Sequence, residues 1–107
     1  MKMKSRFHAS VEGVTLGDQL IAATPDGTRF GIYVGACCVI SVKSGIVSSE
    51  TLEEFSSGLS LQIYLQKSDF AAAEIVRRAK SQIGALIEPW DDEYFCAWCR
   101  RGVLRLI

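Results

Sequence analysis

The side chains best suited to chemistry in this chain are its four cysteines and its single histidine. Cys37 and Cys38 are adjacent, Cys96 and Cys99 form a C-x-x-C pair, and the histidine is His8. Four thiolates can hold zinc in a tetrahedral site. Adjacent residues of a strand point to opposite faces, however, so the first pair is poorly placed to bind one ion. A C-x-x-C redox centre usually lies at a strand-to-helix junction of a thioredoxin-like unit, which the surrounding sequence does not predict. We therefore expect buried, unreactive cysteines, no metal site and no cofactor.

A cysteine nucleophile would need a base, and the only histidine lies in the lead-in formed by residues 1–16. There we expect His8 to be solvated or to pack against its neighbours. Three consecutive acids, Asp91, Asp92 and Glu93, could suggest acid–base chemistry. Acids that open a helix are better explained by capping and by the helix dipole.

Composition favours one soluble globular domain. The chain has 107 residues, of which 49% are hydrophobic, and its twelve basic side chains balance twelve acidic ones. We expect a single domain over 1–107, with a core over 17–102. Balanced charge makes nucleic acid an unlikely partner. Since the sequence has neither a signal peptide nor an apolar run that could span a bilayer, we expect a cytoplasmic protein without a membrane partner.

Alternating apolar residues and turn residues predict about four antiparallel strands, with tight turns at 24–27 and at Gly35-Ala36. The predicted strands are 19–23, 30–34, 37–43 and 59–66. Helical spacing predicts one short helix, which ends at Gly58, and two main helices. Their predicted caps are, in chain order, Ser48 or Ser49, Ser68 or Asp69, and the pair Asp91 and Asp92. The last helix should reach Arg101. A small antiparallel sheet with three helices is an α+β fold.

Five segments in this order resemble a known family. They are GDQLIAA (17–23), RFGIYVG (29–35), VSSETLEEFSSG (47–58), VRRAKSQIG (76–84) and DDEYFCAWCRRG (91–102). The chain resembles the lecithin:retinol acyltransferase-like branch of the NlpC/P60 superfamily, and the resemblance covers roughly residues 17–102. It implies a permuted papain-like fold.

The resemblance also implies which residues would be catalytic. The family transfers or hydrolyses acyl groups through a cysteine at the start of a helix and a histidine on the facing strand. Its motifs read H-W-x-I-Y-V-G, V-x-H and N-C-E-H-F. The corresponding catalytic positions are occupied here by Arg29, Ser41 and Asp92, and Tyr94 stands where the last motif has histidine. Arginine keeps its proton, so Arg29 cannot act as a general base. We therefore expect the family's mechanism to be lost.

Two classes of function remain open. The first is a catalytically inactive domain that acts as a protein-binding module, an adaptor or an inhibitor, with a partner that the sequence does not identify. The alternative is a thiol-dependent acyltransferase or hydrolase in which Cys96 or Cys37 is a relocated nucleophile. The candidate binding residues are Arg29, Tyr33, Asp92, Tyr94, Arg100 and Arg101. The last two, with Arg105, form a predicted basic patch that first complements the helix dipole and could also contact an acidic partner.

The resemblance places Arg29 on a strand opposite Asp92 at the start of a helix. A guanidinium and a carboxylate in these positions should form an ion pair within hydrogen-bonding distance. We expect this pair to occupy the position of the lost catalytic residues.

Overall fold

A five-stranded antiparallel sheet and three helices make up the computed structural model, which describes residues 13–25, 27–57, 59–65, 67–87 and 91–102. The strands are β1 (Gln19–Thr24), β2 (Gly27–Gly35), β3 (Cys38–Lys43), β4 (Ile46–Thr51) and β5 (Leu61–Ile63). The helices are α1 (Leu52–Ser56), α2 (Ala72–Ser81) and α3 (Asp92–Arg101). The strand order across the sheet is β4-β3-β2-β1-β5. The predicted α+β class is confirmed, with one strand more than predicted. No helix in these ranges is long and apolar enough to cross a membrane.

The turn between β2 and β3 differs from its prediction. Gly35, Ala36 and Cys37 all have positive φ, at 92°, 54° and 57°. Cys37 is therefore part of the turn, and only Cys38 belongs to the strand. The prediction that both cysteines lie on one strand was wrong, because the turn between β2 and β3 needs one more residue to reverse the direction of the chain. The earlier turn at 24–27 includes Asp26, which lies outside the described residues.

The strand that the sequence analysis missed is β4. Ser48 and Ser49, predicted as helix caps, both lie in this strand. Thr51 caps α1 instead: its hydroxyl accepts a hydrogen bond from the amide of Glu54, whose side chain accepts one from the Thr51 amide. This reciprocal capping box fixes where α1 begins. Gly58, the predicted end of the helix, lies outside the described residues.

The predicted strand at 59–66 is shorter in the structure. Only Leu61–Ile63 pairs with β1. Leu61 and Ile63 are partly buried, whereas Leu59 and Leu65 are exposed. The alternating pattern was right about the side of the strand that packs, and wrong about its length.

The two longer helices differ in how they begin. The N-cap of α2 is Ala71, which makes no side-chain capping bond, so the predicted caps Ser68 and Asp69 were wrong. At α3 the prediction is confirmed: the carboxylate of Asp91 accepts a hydrogen bond from the Tyr94 amide. Gly102 ends α3 with a positive φ of 72°.

Arg78 ties the two longer helices together. Its guanidinium lies over the ring of Trp98 at 4.0 Å and over the ring of Phe70 at 4.6 Å, both measured to the ring centroid. Its Nε and Nη2 atoms also donate hydrogen bonds to the Trp98 carbonyl, at 3.2 and 3.0 Å. Cation–π contacts and hydrogen bonds thus add to the apolar packing of α2 on α3.

Both faces of the sheet are covered. On the α2–α3 face, the two longer helices bury a core of Ile32, Ile40, Val47, Ile75, Ala79, Phe95, Cys96 and Cys99. On the opposite face, here the α1 face, α1 covers a second core of Val14, Leu20, Ala22, Val39, Leu52 and Phe55. Because side chains alternate along a strand, β2 directs Arg29 to the α1 face and Phe30 to the α2–α3 face.

The two edge strands of the sheet differ in how they are protected. Along β4, the amide of Val47 donates to the Ala85 carbonyl, Gly84 donates to the Val47 carbonyl, and Ile87 donates to the Gly45 carbonyl. The segment that follows α2 therefore covers the outer side of the beginning of this strand. The other edge is β5, which is only three residues long.

Gly31 allows α1 to pack closely against β2. A Cβ at this position would overlap the Val39 side chain and would lie 2.9 Å from Cε1 of Phe55. Any larger side chain would therefore push the Phe55 ring away from the sheet.

We predict that Gly31→Ala lowers the free energy of unfolding by about 1–3 kcal/mol, because overpacking a filled core forces side chains and backbone to shift. Urea denaturation measures the loss. Gly13→Ala is the matched control, since a Cβ at Gly13 would meet nothing within 4 Å. Equal stability of the two variants would contradict the close packing at Gly31.

Candidate functional site

Arg29, at the position that the resemblance gives to the base, is held in a polar network on the α1 face. Its Nη2 donates to Oε2 of Glu50 at 2.6 Å and to Oγ of Ser41 at 3.0 Å. Its Nη1 donates to Oε1 of Glu50 at 3.3 Å and to the Phe55 carbonyl at 3.2 Å. The guanidinium also lies 4.8 Å from the centroid of the Phe55 ring. One side chain thus joins β2, β3, β4 and the end of α1.

Glu50 carries the negative charge of this network, and the sequence analysis did not single it out. Its side chain is only 7% exposed, against 20% for Arg29. Burial acts to raise the pKa of Glu50, but the hydrogen bond and charge of Arg29 and the hydroxyl of Ser41 outweigh it, so the pKa lies below its ordinary value. Ser41 is itself fully buried and donates to Oε2 of Glu50 at 3.2 Å. Two of the three positions that the resemblance aligns with catalytic residues therefore belong to one ion-pair network.

The third position, Asp92, lies at the start of α3, and its side chain contacts the backbone of β2. Its Oδ2 accepts a hydrogen bond from the amide of Phe30 at 2.9 Å. Burial raises the pKa of Asp92, while the Phe30 hydrogen bond and the charge of Arg29 act in the opposite direction. The start of α3 therefore contacts β2 through the amide of Phe30 and not through the side chain of Arg29.

The predicted ion pair between Arg29 and Asp92 was wrong. Among the ion pairs of the described ranges, the one that includes Arg29 joins it to Glu50 instead. Arg29 projects to the α1 face, and its neighbour Phe30 supplies the contact with Asp92. Since β4 was not predicted, neither was the carboxylate that it brings beside Arg29.

The four cysteines fall into two groups. Cys96 and Cys99 are buried in the core of the α2–α3 face, as predicted. Burial raises the pKa of Cys96 well above its ordinary value, and raises that of Cys99 to about 12. Cys38 is half-buried and Cys37 is exposed, so the expectation of four buried thiols was wrong for the turn. Within the described ranges, no three His, Cys, Asp or Glu side chains are grouped as a metal site would require. His8 lies outside them.

The remaining predicted binding residues have different exposures. Tyr33 is half-buried, and its hydroxyl accepts a hydrogen bond from the Cys37 amide at 3.2 Å, which supports the positive-φ turn. Tyr94 is 40% exposed on α3, and Arg101 is also exposed. Arg100 is only 7% exposed, so it does not form the surface patch that the sequence suggested. Arg105 lies outside the described residues.

Arg100 is instead a wall of a small cleft between α3 and β1. Its Nη1 donates to Oε1 of Gln19 at 3.3 Å, and its guanidinium lies 5.7 Å from the centroid of the Tyr64 ring. The cleft, here the α3 cleft, has a volume of about 80 Å³ and is lined by Gln19, Tyr64, Glu93, Ala97, Arg100 and Arg101. A more open depression of about 330 Å³, lined by Glu93, Tyr94 and Ala97, lies on the same helix. The outer side of α3 therefore offers the concave surface nearest to the predicted binding residues Tyr94 and Arg101.

Comparison of the chain with protein-family models gives no match, and comparison with curated proteins gives none either.

We predict that Arg29→Met lowers the free energy of unfolding by about 3 kcal/mol, because it leaves the Glu50 carboxylate buried without its cation. Chemical denaturation at pH 7 measures the loss. Arg77→Met is the matched control: it breaks the exposed ion pair with Glu74, which solvent screens, so its loss should be much smaller than that of Arg29→Met. Similar losses in both variants would show that the Arg29 network is no more than a surface contact.

The network also predicts a pH dependence. The pKa of Glu50 is lower in the folded protein than its ordinary value of 4.5, so its contribution to stability is complete above that pH. The contribution is lost as the pH falls through the folded pKa. We expect the stability difference between the wild type and Glu50→Gln to be large at pH 7 and to shrink at pH 3.

Urea denaturation at the two pH values measures this difference. Glu53→Gln, a change at an exposed carboxylate on α1, gives the background for loss of a surface charge. A difference between wild type and Glu50→Gln that is the same at both pH values would contradict the lowered pKa.

Proposed function

We propose that the protein is a catalytically inactive domain with the permuted papain-like fold of the lecithin:retinol acyltransferase-like NlpC/P60 branch, and that it acts by binding another protein. The observation that carries the proposal is the state of Arg29. The residue at the position of the base is a permanent cation whose guanidinium is occupied by Glu50, Ser41 and the Phe55 carbonyl. A group held in this way cannot accept a proton from a nucleophile.

The contact between α3 and β2 bears on the assignment of the fold in two opposite ways. In the family, the nucleophile begins a helix that faces the strand of the base. Here Asp92 begins α3, and its carboxylate binds the amide next to Arg29 in the chain. The two positions are therefore adjacent along the backbone, but the Arg29 side chain lies on the opposite face of the sheet from α3, which counts against the correspondence of Arg29 with the family's base. A carboxylate is a far weaker acyl acceptor than a thiolate.

Burial argues against the alternative of a relocated cysteine. The thiolate is the reactive form of cysteine, and burial raises the pKa of both Cys96 and Cys99. Cys37 is exposed, but none of the described residues is a histidine that could activate it. A binding role as an adaptor or inhibitor needs no such activation.

The outer side of α3 is the surface that we propose for the partner. Tyr94 is a partly exposed aromatic side chain beside an open depression. Tyrosine is a frequent anchor of protein interfaces, because it combines a large apolar ring with a polar end. In the resembling family, the same position is a histidine of the helix motif.

We predict that the wild-type protein captures a specific protein from its source cell, and that Tyr94→Ala weakens this capture at least about tenfold, as expected for an interface anchor. Lys80→Ala, at an exposed position on α2, is the matched control and should leave capture unchanged. The retained protein is then purified, and its affinity for the three forms is measured by calorimetry.

Two results would contradict the proposal. One is the absence of any protein that binds the purified wild type. The other is turnover of an activated acyl ester that is abolished by Cys37→Ser, which would establish the relocated-cysteine enzyme instead.

A further inference from the structure

Cys37 and Cys38 form an adjacent pair of thiols that the proposed function does not use. Gly35 and Cys38 are paired across β2 and β3, so Ala36 and Cys37 are the two central residues of the turn. Both have positive φ, at 54° and 57°. Such turns favour asparagine, aspartate and glycine, so the geometry of the turn does not account for a cysteine there. Because Cys37 lies outside β3, the alternation of side chains along a strand does not separate its thiol from that of Cys38.

The four thiols differ in their access to solvent. Cys37 is exposed and Cys38 is half-buried, whereas Cys96 and Cys99 are buried in the core of the α2–α3 face. An exposed thiol can attack a disulfide in solution, and a second thiol beside it can then displace the group that has been added. Of the four cysteines, only the pair in the turn combines an accessible thiol with an adjacent second one.

The backbone of Cys37 connects the turn to α1. Its carbonyl accepts a hydrogen bond from the amide of Leu52, the first residue of α1, at 2.8 Å. Its amide donates to the Tyr33 hydroxyl at 3.2 Å. The amides in the first turn of a helix have no partner within the helix, so the Cys37 carbonyl supplies one from outside. A change in the direction of this carbonyl would therefore break the contact at the start of α1.

We propose that Cys37 and Cys38 are a reversible oxidation site, at which a small disulfide such as glutathione disulfide joins the two residues. The Cys37 thiolate attacks one sulfur of the oxidant, whose S–S bond breaks, and the first glutathione leaves as a thiol. The Cys38 thiolate then attacks the Cys37 sulfur and displaces the second glutathione. The protein gives up two electrons and two protons, and the oxidant is reduced to two thiols. This site goes beyond the proposed protein-binding function and does not depend on it.

The oxidised form differs from the reduced form at the start of α1. A disulfide between adjacent residues closes a small ring that contains the peptide unit joining them. The carbonyl that binds the Leu52 amide belongs to this peptide unit, so closing the ring changes its direction. The Cα atoms of adjacent residues are about 3.8 Å apart, which is closer than in most disulfides. The bond is therefore strained and easily reduced, as expected of a regulatory disulfide and not of a structural one.

The test treats the purified, reduced protein with glutathione disulfide. Remaining thiols are blocked with N-ethylmaleimide under denaturing conditions, and tryptic peptides are analysed by mass spectrometry. Trypsin releases the peptide 30–43, which contains Cys37 and Cys38, and the peptide 81–100, which contains Cys96 and Cys99. We expect 30–43 to lose two hydrogens and to take up no N-ethylmaleimide. The buried thiols of 81–100 are the internal control and should both be labelled. Dithiothreitol should restore labelling of 30–43.

Two variants separate the steps of the reaction. Cys38→Ser should stop at a mixed disulfide between glutathione and Cys37, because the thiol that displaces the second glutathione is missing. Cys37→Ser should react at least about tenfold more slowly than the wild type, since Cys38 is only half-buried rather than exposed and reactivity follows access.

The link to α1 is measured separately, on the ¹⁵N-labelled protein. Oxidation should shift the amide resonance of Leu52, and dithiothreitol should return it to its starting position. The Val47 amide, which donates to the Ala85 carbonyl at the other end of β4, is the control and should not shift.

A wild-type protein that stays reduced, or that stops at the mixed disulfide, would overturn the proposed site. Ring closure without a change at Leu52 would overturn its link to α1. Because these measurements use no partner protein, their failure would leave the protein-binding proposal standing, and a failed capture experiment would not affect them.

Discussion

The ion pair between Arg29 and Glu50 is the interaction on which the α1 face depends. It places two charged side chains in a mainly apolar face, where an unpaired charge would be costly. The cost of burying the charges is offset because both oxygens of Glu50 accept hydrogen bonds from the guanidinium. The Phe55 carbonyl at the end of α1 accepts a hydrogen bond from the same guanidinium. The position of the short helix is thereby coupled to the register of β2, β3 and β4.

The two faces of the sheet use the positions of Arg29 and Asp92 in different ways. The alternation of β2 sends Arg29 to one face of the sheet, while the Phe30 amide meets Asp92 at the start of α3. In our proposal, the two ancestral catalytic positions have become two separate structural contacts. One is an ion pair, and the other is a hydrogen bond from a backbone amide to a carboxylate. Each stabilises a different layer of the fold. Neither needs a group that changes its protonation near neutral pH.

The sequence predicts those elements whose signals are local. The apolar alternation of β1 to β3 and the acidic cap of α3 were sufficient to place them, because their patterns lie within a few residues. The strand β4 was missed because VSSET combines few apolar residues with serines that also suit a helix cap. Its alternation becomes visible only beside β3, where Val47 and Glu50 face opposite layers.

The candidate site, too, was predictable only where its signals are local in the sequence. The resemblance identified positions 29, 41 and 92, and the structure brings the first two together. Glu50 was out of reach, since it is 21 residues from Arg29 in the chain and depends on the missed strand. The burial of Arg100 was equally hidden, because its contacts come from Gln19 and Tyr64, which are distant in sequence. The cluster of arginines at the end of the helix had suggested a surface patch.

The edges of the sheet limit the ways in which this domain can recognise another molecule. Many binding domains add an extended segment of their partner as a further strand, using the free amides and carbonyls of an edge. In this protein the segment at 84–87 already pairs with Gly45 and Val47 at the start of β4, so only the rest of that strand is open, and β5 offers only three residues. Backbone pairing with a foreign chain would therefore be short, and the same feature discourages self-assembly through the sheet. Selectivity must then come from side chains, whose identity can change during evolution without disturbing the backbone of the sheet.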